Sequence, residues 1–159
     1  VFEQTAKAWS DSSVINATST DMSAQQARLA SYGSVAFTAL RVGMQVGTAA
    51  PAFIQFDLKG ASLHQLVGSG GFAPTKAGRS AWKSLLADSS LQKNCSQEGI
   101  NTIRCRIGIT SNQENECASP DSWLGIGCSG YASGNYAHAS WSPDNGGKTT
   151  RSFAWVLAR

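Results

Sequence analysis

The sequence predicts an α+β fold: a single disulfide-stapled domain of short, mainly antiparallel strands and long loops, with one clear helix at about Thr75–Ala87. Three observations point there. The chain has 159 residues, enough for one hydrophobic core and short for two. Only 14% of them are charged, where about a quarter is usual, and Gly, Ser, Ala, Thr and Asn take the vacated share. Four cysteines, Cys95, Cys105, Cys117 and Cys128, crowd into the stretch with the fewest apolar residues, where disulfides can staple loops that a core cannot hold.

The elements follow in order. Val1–Gln26 is polar, with Trp9 as its large anchor. Ser34–Val46 predicts a strand, because Val35, Phe37, Leu40, Val42, Met44 and Val46 mostly alternate with small or polar residues. Pro51 breaks the chain, and Ala52–Leu58 alternates again before Gly60. Ser62–Val67 is a short apolar turn. The Gly-Ser-Gly-Gly run that follows at Gly68–Gly71 lacks the Lys-Ser/Thr partner of a phosphate loop and is read as flexible. In Thr75–Ala87, Thr75 is placed as N-cap; Ala81, Trp82, Leu85 and Leu86 make one apolar stripe, and Asp88–Ser90 end the helix. Ile103–Ile109 and Leu124–Ile126 predict further strands, and Tyr131–Lys148 a long loop rich in aromatic, Gly and Asn residues. Ser152–Leu157 is a nearly continuous apolar run, predicting a last strand buried on both faces with Arg159 at the solvent edge.

Composition narrows the function classes. A net charge of +3 without a basic stripe gives no nucleic-acid footprint; Arg104 and Arg106 merely alternate along one strand. The cysteine spacings are not those of a zinc knuckle, and no histidine lies among them. Three pairings are open; Cys95–Cys105 with Cys117–Cys128 is favoured because each closes a short loop. Asn16-Ala-Thr and Asn94-Cys-Ser are glycosylation acceptors by pattern, so Asn16 and Asn94 are candidate glycan attachment sites. No window has the apolar length of a membrane span. No signal peptide is seen, which fits a mature chain beginning at Val1 after cleavage. Oxidised cysteines and this composition together predict a secreted, extracellular location.

Thr110–Gly130 is the most telling segment. Asn112, Gln113, Glu114, Asn115 and Glu116 crowd against Cys117, a Ser119-Pro120-Asp121 turn follows, and Cys128 closes the run. Oxygen-rich side chains on a pinned loop suit a hard cation, and the candidate calcium ligands are Asn112, Glu114, Glu116 and Asp121, with Asp144 as a fifth oxygen. The plainer alternative is a polar surface loop clipped by a disulfide. A second candidate site is the Asn135-Tyr136-Ala137-His138 run with Trp141 and Asp144. Aromatic faces can meet the CH-rich side of a sugar while His138, Asn135 and Asp144 meet its hydroxyls; the alternative is packing that holds a loop on the core. Enzyme signals are thin. Ser80 and Lys83 have Ser-x-x-Lys spacing without the further partners of that motif, and Trp82 stands where a nucleophile elbow needs glycine. His64 lies in an apolar turn as a packing or capping residue.

Two segments together carry a family resemblance: TKAGRSAWKSLLADSSLQKNCSQEGIN at Thr75–Asn101 and RIGITSNQENECASPDSWLGIG at Arg106–Gly127. With Leu40–Gly47 and Ser62–Phe72 they resemble a domain of invertebrate extracellular matrix and adhesive proteins. More distantly, Ser111–Cys117, Gly125–Gly130, Tyr136–Trp141 and Phe153–Arg159 stand in the order of the C-terminal part of intelectins and fibrinogen-like lectins. The resemblance implies one fibrinogen-like or lectin-like domain over residues 1–159 that binds sugar diols with calcium. The expected function is thus non-enzymatic recognition of glycans or matrix proteins, with avidity from a homo-oligomer or tandem copies. The rival expectation is a self-associating structural subunit of matrix or filament.

Overall fold

Alternation of large apolar and polar side chains lays down the first two strands, β1 (Phe37–Gln45) and β2 (Ala52–Gly60). A computed structural model of the chain describes residues 2–19, 21–22 and 25–159; the expected mature start at Val1 lies outside them. Leu40, Val42 and Met44 pair across with Phe56, Ile54 and Ala52, so one face of this hairpin is apolar throughout. Seven more strands follow: β3 (Ala73–Pro74), β4 (Asn94–Ile100), β5 (Cys105–Asn112), β6 (Ser122–Cys128), β7 (Tyr131–Ala137), β8 (Lys148–Arg151) and β9 (Phe153–Ala158). They form two antiparallel sheets, one ordered β2-β1-β9 and the other β3-β4-β5-β6-β7-β8. The helices are short: α1 (Ser31–Ser34), α2 (Leu63–Gly68) and α3 (Arg79–Lys83). The protein is thus a mostly antiparallel β domain with two disulfides.

A single core joins the sheets. Leu40, Val42, Met44, Ile54 and Phe56 from the smaller sheet meet Ile107, Ile109, Leu124 and Ile126 from the larger one, and Trp82, Leu85, Leu86 and Leu91 close one side. A second cluster comprises the Cys105–Cys128 bridge, Trp123 and Tyr131, with Tyr136 packed against it.

Several sequence expectations change. The helix expected over Thr75–Ala87 shrinks to α3, because Gly78 enters it at φ +86° and the preceding residues serve another partner. Thr75 does not cap it; the Thr75 hydroxyl and the Ala77 and Gly78 N–H groups all donate to Glu98, at 2.9, 3.1 and 2.9 Å. The stripe itself holds, since Trp82, Leu85 and Leu86 are buried. The apolar turn at Ser62–Val67 is instead α2, with the Ser62 hydroxyl accepting from the Gln65 N–H.

The long loop expected over Tyr131–Lys148 begins with β7, a strand paired on both sides. Its residues are small and polar, so propensity conceals it. Gly134 allows the approach of β8: a Cβ there would lie 1.9 Å from the Thr150 carbonyl oxygen, at φ +142°. β9 is not buried on both faces. Ala154 and Val156 pack on the core, whereas Phe153, Trp155 and Leu157 occupy the alternate positions on the opposite face.

The disulfides join Cys95 to Cys117 and Cys105 to Cys128, not the short loops favoured from spacing. Cys105 and Cys128 stand opposite each other on β5 and β6, so strand register rather than sequence distance brings them together. Trypsin cutting after Lys93, Arg104 and Arg106 should therefore leave residues 94–104 and 105–106 both attached to 107–148 without reductant. A further cut after Trp123 should separate a 94–104 pair from a 105–106 pair. Recovery of 94–104 joined to 105–106 alone would contradict this pairing.

Candidate functional site

The β7–β8 connection contains the aromatic tip. His138 follows β7 and its N–H donates to the Asp121 carbonyl; a 3-10 turn over Ala139–Trp141 comes next, and the His138 ring Nδ1 accepts from the Ser140 N–H at 3.2 Å. Ser142 then turns the chain at φ +47°. Trp141 stands out 45% exposed with its ring 5.9 Å from that of His138, while Trp9, Trp82 and Trp123 are all below a tenth. Two exposed rings side by side, here tilted 36° to each other, suit an amphipathic ligand with one apolar face.

The base of the tip is fixed by charge and by side chains acting as strand partners. Asp144 Oδ2 receives Lys83 Nζ at 2.5 Å and Arg79 at 2.9 Å, and Oδ1 accepts the Leu91 N–H at 3.0 Å. Asn145 donates its N–H to the Ser90 hydroxyl and its amide to the Ser89 carbonyl. Partial burial works to raise the Asp144 carboxyl, but Lys83, the Leu91 N–H and Arg79 together hold it below the ordinary carboxylate range. A depressed folded-state pKa means a contribution complete above the unfolded value and lost as pH falls through the folded one. Asp144→Asn is expected to cost about 1–2 kcal/mol at neutral pH and to flatten the stability loss below about pH 4. Thermal unfolding of both proteins between those pH values checks it.

The other ligand candidates divide. Asn135 is fully buried and cannot reach a ligand; its Oδ1 accepts the Ser90 N–H at 2.7 Å and its Nδ2 donates to the Ser90 and Trp123 carbonyls at 2.9 and 3.0 Å. Tyr136 is half-buried, stacked on Trp123 at 4.4 Å, and Arg104 lies over the far ring at 5.0 Å. Burial pushes the Tyr131 phenol in the same cluster well above its usual range. Tyr136 and Asn135 therefore support the tip, and His138 and Trp141 form it.

In the expected calcium loop, Glu116 acts as a hub. Oε1 accepts from Asn112 Nδ2 at 2.5 Å and from the Ser119 hydroxyl at 2.7 Å, and Oε2 accepts the Ala118 N–H at 2.7 Å. Hydrogen bonds from Ser119 and Ala118 lower its carboxyl, outweighing its slight desolvation. Asn112 is wholly buried, and its own Oδ1 accepts the Gln113 N–H. Glu114 is exposed, Asp121 is half-buried, and among the described residues no three carboxylate, His or Cys side chains gather into a metal-sized cluster. The oxygens here serve the loop, and the donor set does not fit a calcium ion as it stands. Both sequon asparagines are exposed and donate to backbone carbonyls, Asn16 to Gln26 and Asn94, at the start of β4, to Gln113, each at 2.6 Å. His64 packs edge-on against Tyr32 and reaches the Ser10 carbonyl at 3.0 Å.

One surface escaped the sequence reading. On the outer face of the three-stranded sheet, Phe53 and Trp155 flank Gly43, with ring centroids 6.1 Å apart, and Phe153 meets Trp155 edge-on at 4.9 Å. The Arg41 guanidinium lies 4.3 Å above the Phe53 ring. Phe153–Leu157 is apolar at every position, so its sequence carries no alternation to tell the outward-facing rings from the core-facing side chains.

No family model matches the chain, and neither a curated protein nor a solved structure matches it. Two disulfides fit an oxidising compartment, and no helix among the described residues is long and apolar enough to cross a membrane.

Proposed function

We propose that this chain is an extracellular, non-enzymatic recognition module that binds carbohydrate through the His138–Trp141 tip. The supporting observation is that Trp141, unlike the indoles of the core, is open to solvent beside a second ring on a base held by Asp144 and Asn145. Trp141 would stack on the apolar face of a sugar, and His138 Nε2 and the Ser140 and Ser142 hydroxyls would meet its hydroxyl groups. Arg79 and Lys83 both engage Asp144 at the base, and the exposed groups of the tip, Trp141, His138, Ser140 and Ser142, suit a neutral glycan. Its small area implies weak single-site affinity, raised in use by several copies. The resemblance to adhesive and fibrinogen-like domains agrees in kind.

A glycan array probed with the oxidised protein tests this, with and without chelator. Neutral-glycan binding that Trp141→Ala reduces about tenfold or more supports it, with thermal stability expected to change by less than about 0.5 kcal/mol. Binding that survives chelation agrees with the hydrogen-bonded state of Glu116. Loss on chelation would instead bring calcium back into the site. No glycan signal combined with concentration-dependent assembly would overturn the reading in favour of a structural subunit.

A further inference from the structure

We propose that the outer face of the three-stranded sheet is a separate docking platform for an acidic polysaccharide, one bearing sugar carboxylates. Gly43 makes the platform. A Cβ at that position would come 2.2 Å from Phe53 Cε1, so only glycine lets the Phe53 ring lie across the strand between its neighbours. The ring is then roofed by Arg41, and Trp155 and Phe153 continue the aromatic surface on the far side of β1. Leu157, 40% exposed, ends it opposite Arg41.

The occupant is argued from charge. The Arg41 side chain is exposed and, among the described residues, makes neither an ion pair nor a side-chain hydrogen bond; its guanidinium rests on the π face of Phe53. A guanidinium held over a ring face, with no side-chain hydrogen-bond partner, keeps its N–H fork free, and that fork matches a carboxylate bidentately. The aromatic rings beside it offer CH-stacking for the ring that carries the carboxylate. A dry apolar interface with a second copy of the chain fits less well, because Gln55 opposite Arg41 and Asp57 beyond it on the same face are exposed and polar, which a hydrated saccharide accommodates. A saccharide leaves the guanidinium half hydrated. The platform shares no residue with the His138–Trp141 tip, so either proposal can fail alone.

The probe is a hexamer of galacturonate, titrated calorimetrically into the oxidised full chain at low salt. The wild type should bind it at least about tenfold more tightly than the methyl-esterified hexamer. Arg41→Gln, at an exposed position, should keep the melting temperature and weaken binding about tenfold, and Trp155→Leu should weaken it about fivefold or more. Trp141→Ala should leave it unchanged. The proposal is overturned if Arg41→Gln binds as wild type does, or if no binding is seen up to about 10 mM sugar. Equal binding of linear polyphosphate would also overturn it, showing bare charge attraction, and so would loss of galacturonate binding in Trp141→Ala.

Discussion

Replacing Glu98 by alanine is expected to cost roughly 3–5 kcal/mol, enough to lower the melting temperature by about 10 °C in a chain of this size. The reason is the number of donors that converge on one carboxylate. Besides the Thr75 hydroxyl and the Ala77 and Gly78 N–H groups, the Trp82 indole N–H donates to Oε2 at 2.6 Å. Trp82 is wholly buried, so its N–H has no water to fall back on when the carboxylate goes. Three of these bonds moor the turn that precedes α3 and the fourth moors α3 itself, which carries Arg79 and Lys83 to Asp144. Glu98→Gln should cost less, about 2 kcal/mol, because one amide oxygen remains to accept while the NH2 group faces a donor. Thermal or urea unfolding of the three proteins checks the order. A Glu98→Ala protein as stable as wild type would mean that these donors find other partners.

Asn135→Ala carries the second large effect, about 3 kcal/mol. Asn135 sits on β7 with no exposed surface, and its carboxamide pairs with the N–H and C=O of Ser90 as a neighbouring strand would. Truncation leaves both backbone groups, and the Trp123 carbonyl, short of a partner inside the protein. The Ser89–Leu91 segment it releases is the one that receives Asn145 and Asp144. Loss of stability should therefore be accompanied by a looser tip: faster amide exchange at residues 138–146 than in Trp141→Ala, at a temperature where both remain folded. Exchange at the tip unaltered by Asn135→Ala would separate the two regions and contradict the support role given to this residue.

These residues also show where sequence pattern was informative. β1 and β2 were legible because Val42, Met44, Ile54 and Phe56 alternate with polar or small residues, Phe53 excepted, as a sheet with one solvent side requires. β7 was not, because Ser133, Gly134 and Asn135 are buried by strands paired on either side and not by any hydrophobic preference of their own. The Ser129-Gly130 turn between Cys128 and Tyr131, with Gly130 at φ +85°, was the hairpin signal that could have revealed it. The apolar stripe of Thr75–Ala87 was sound, but Glu98, more than ten residues downstream, claims the N–H groups that would have begun the helix. Cysteine pairing depended on the register of β5 against β6, which no spacing encodes. Of the candidate ligand residues, His138 and Trp141 stand side by side, whereas Tyr136 stacks on Trp123. Which of them faces water was decided by the stack on Trp123 and by the charge cluster at Asp144.

The central functional claim rests on Trp141, and the indole N–H signals of the five tryptophans allow it to be tested directly. A 15N-labelled, oxidised sample is titrated with the best neutral glycan from the array, with the Trp141 signal assigned from Trp141→Phe. The account predicts that the Trp141 indole cross-peak shifts and saturates while those of Trp9 and Trp82 stay in place. A stationary Trp141 signal in the presence of bound glycan would contradict it.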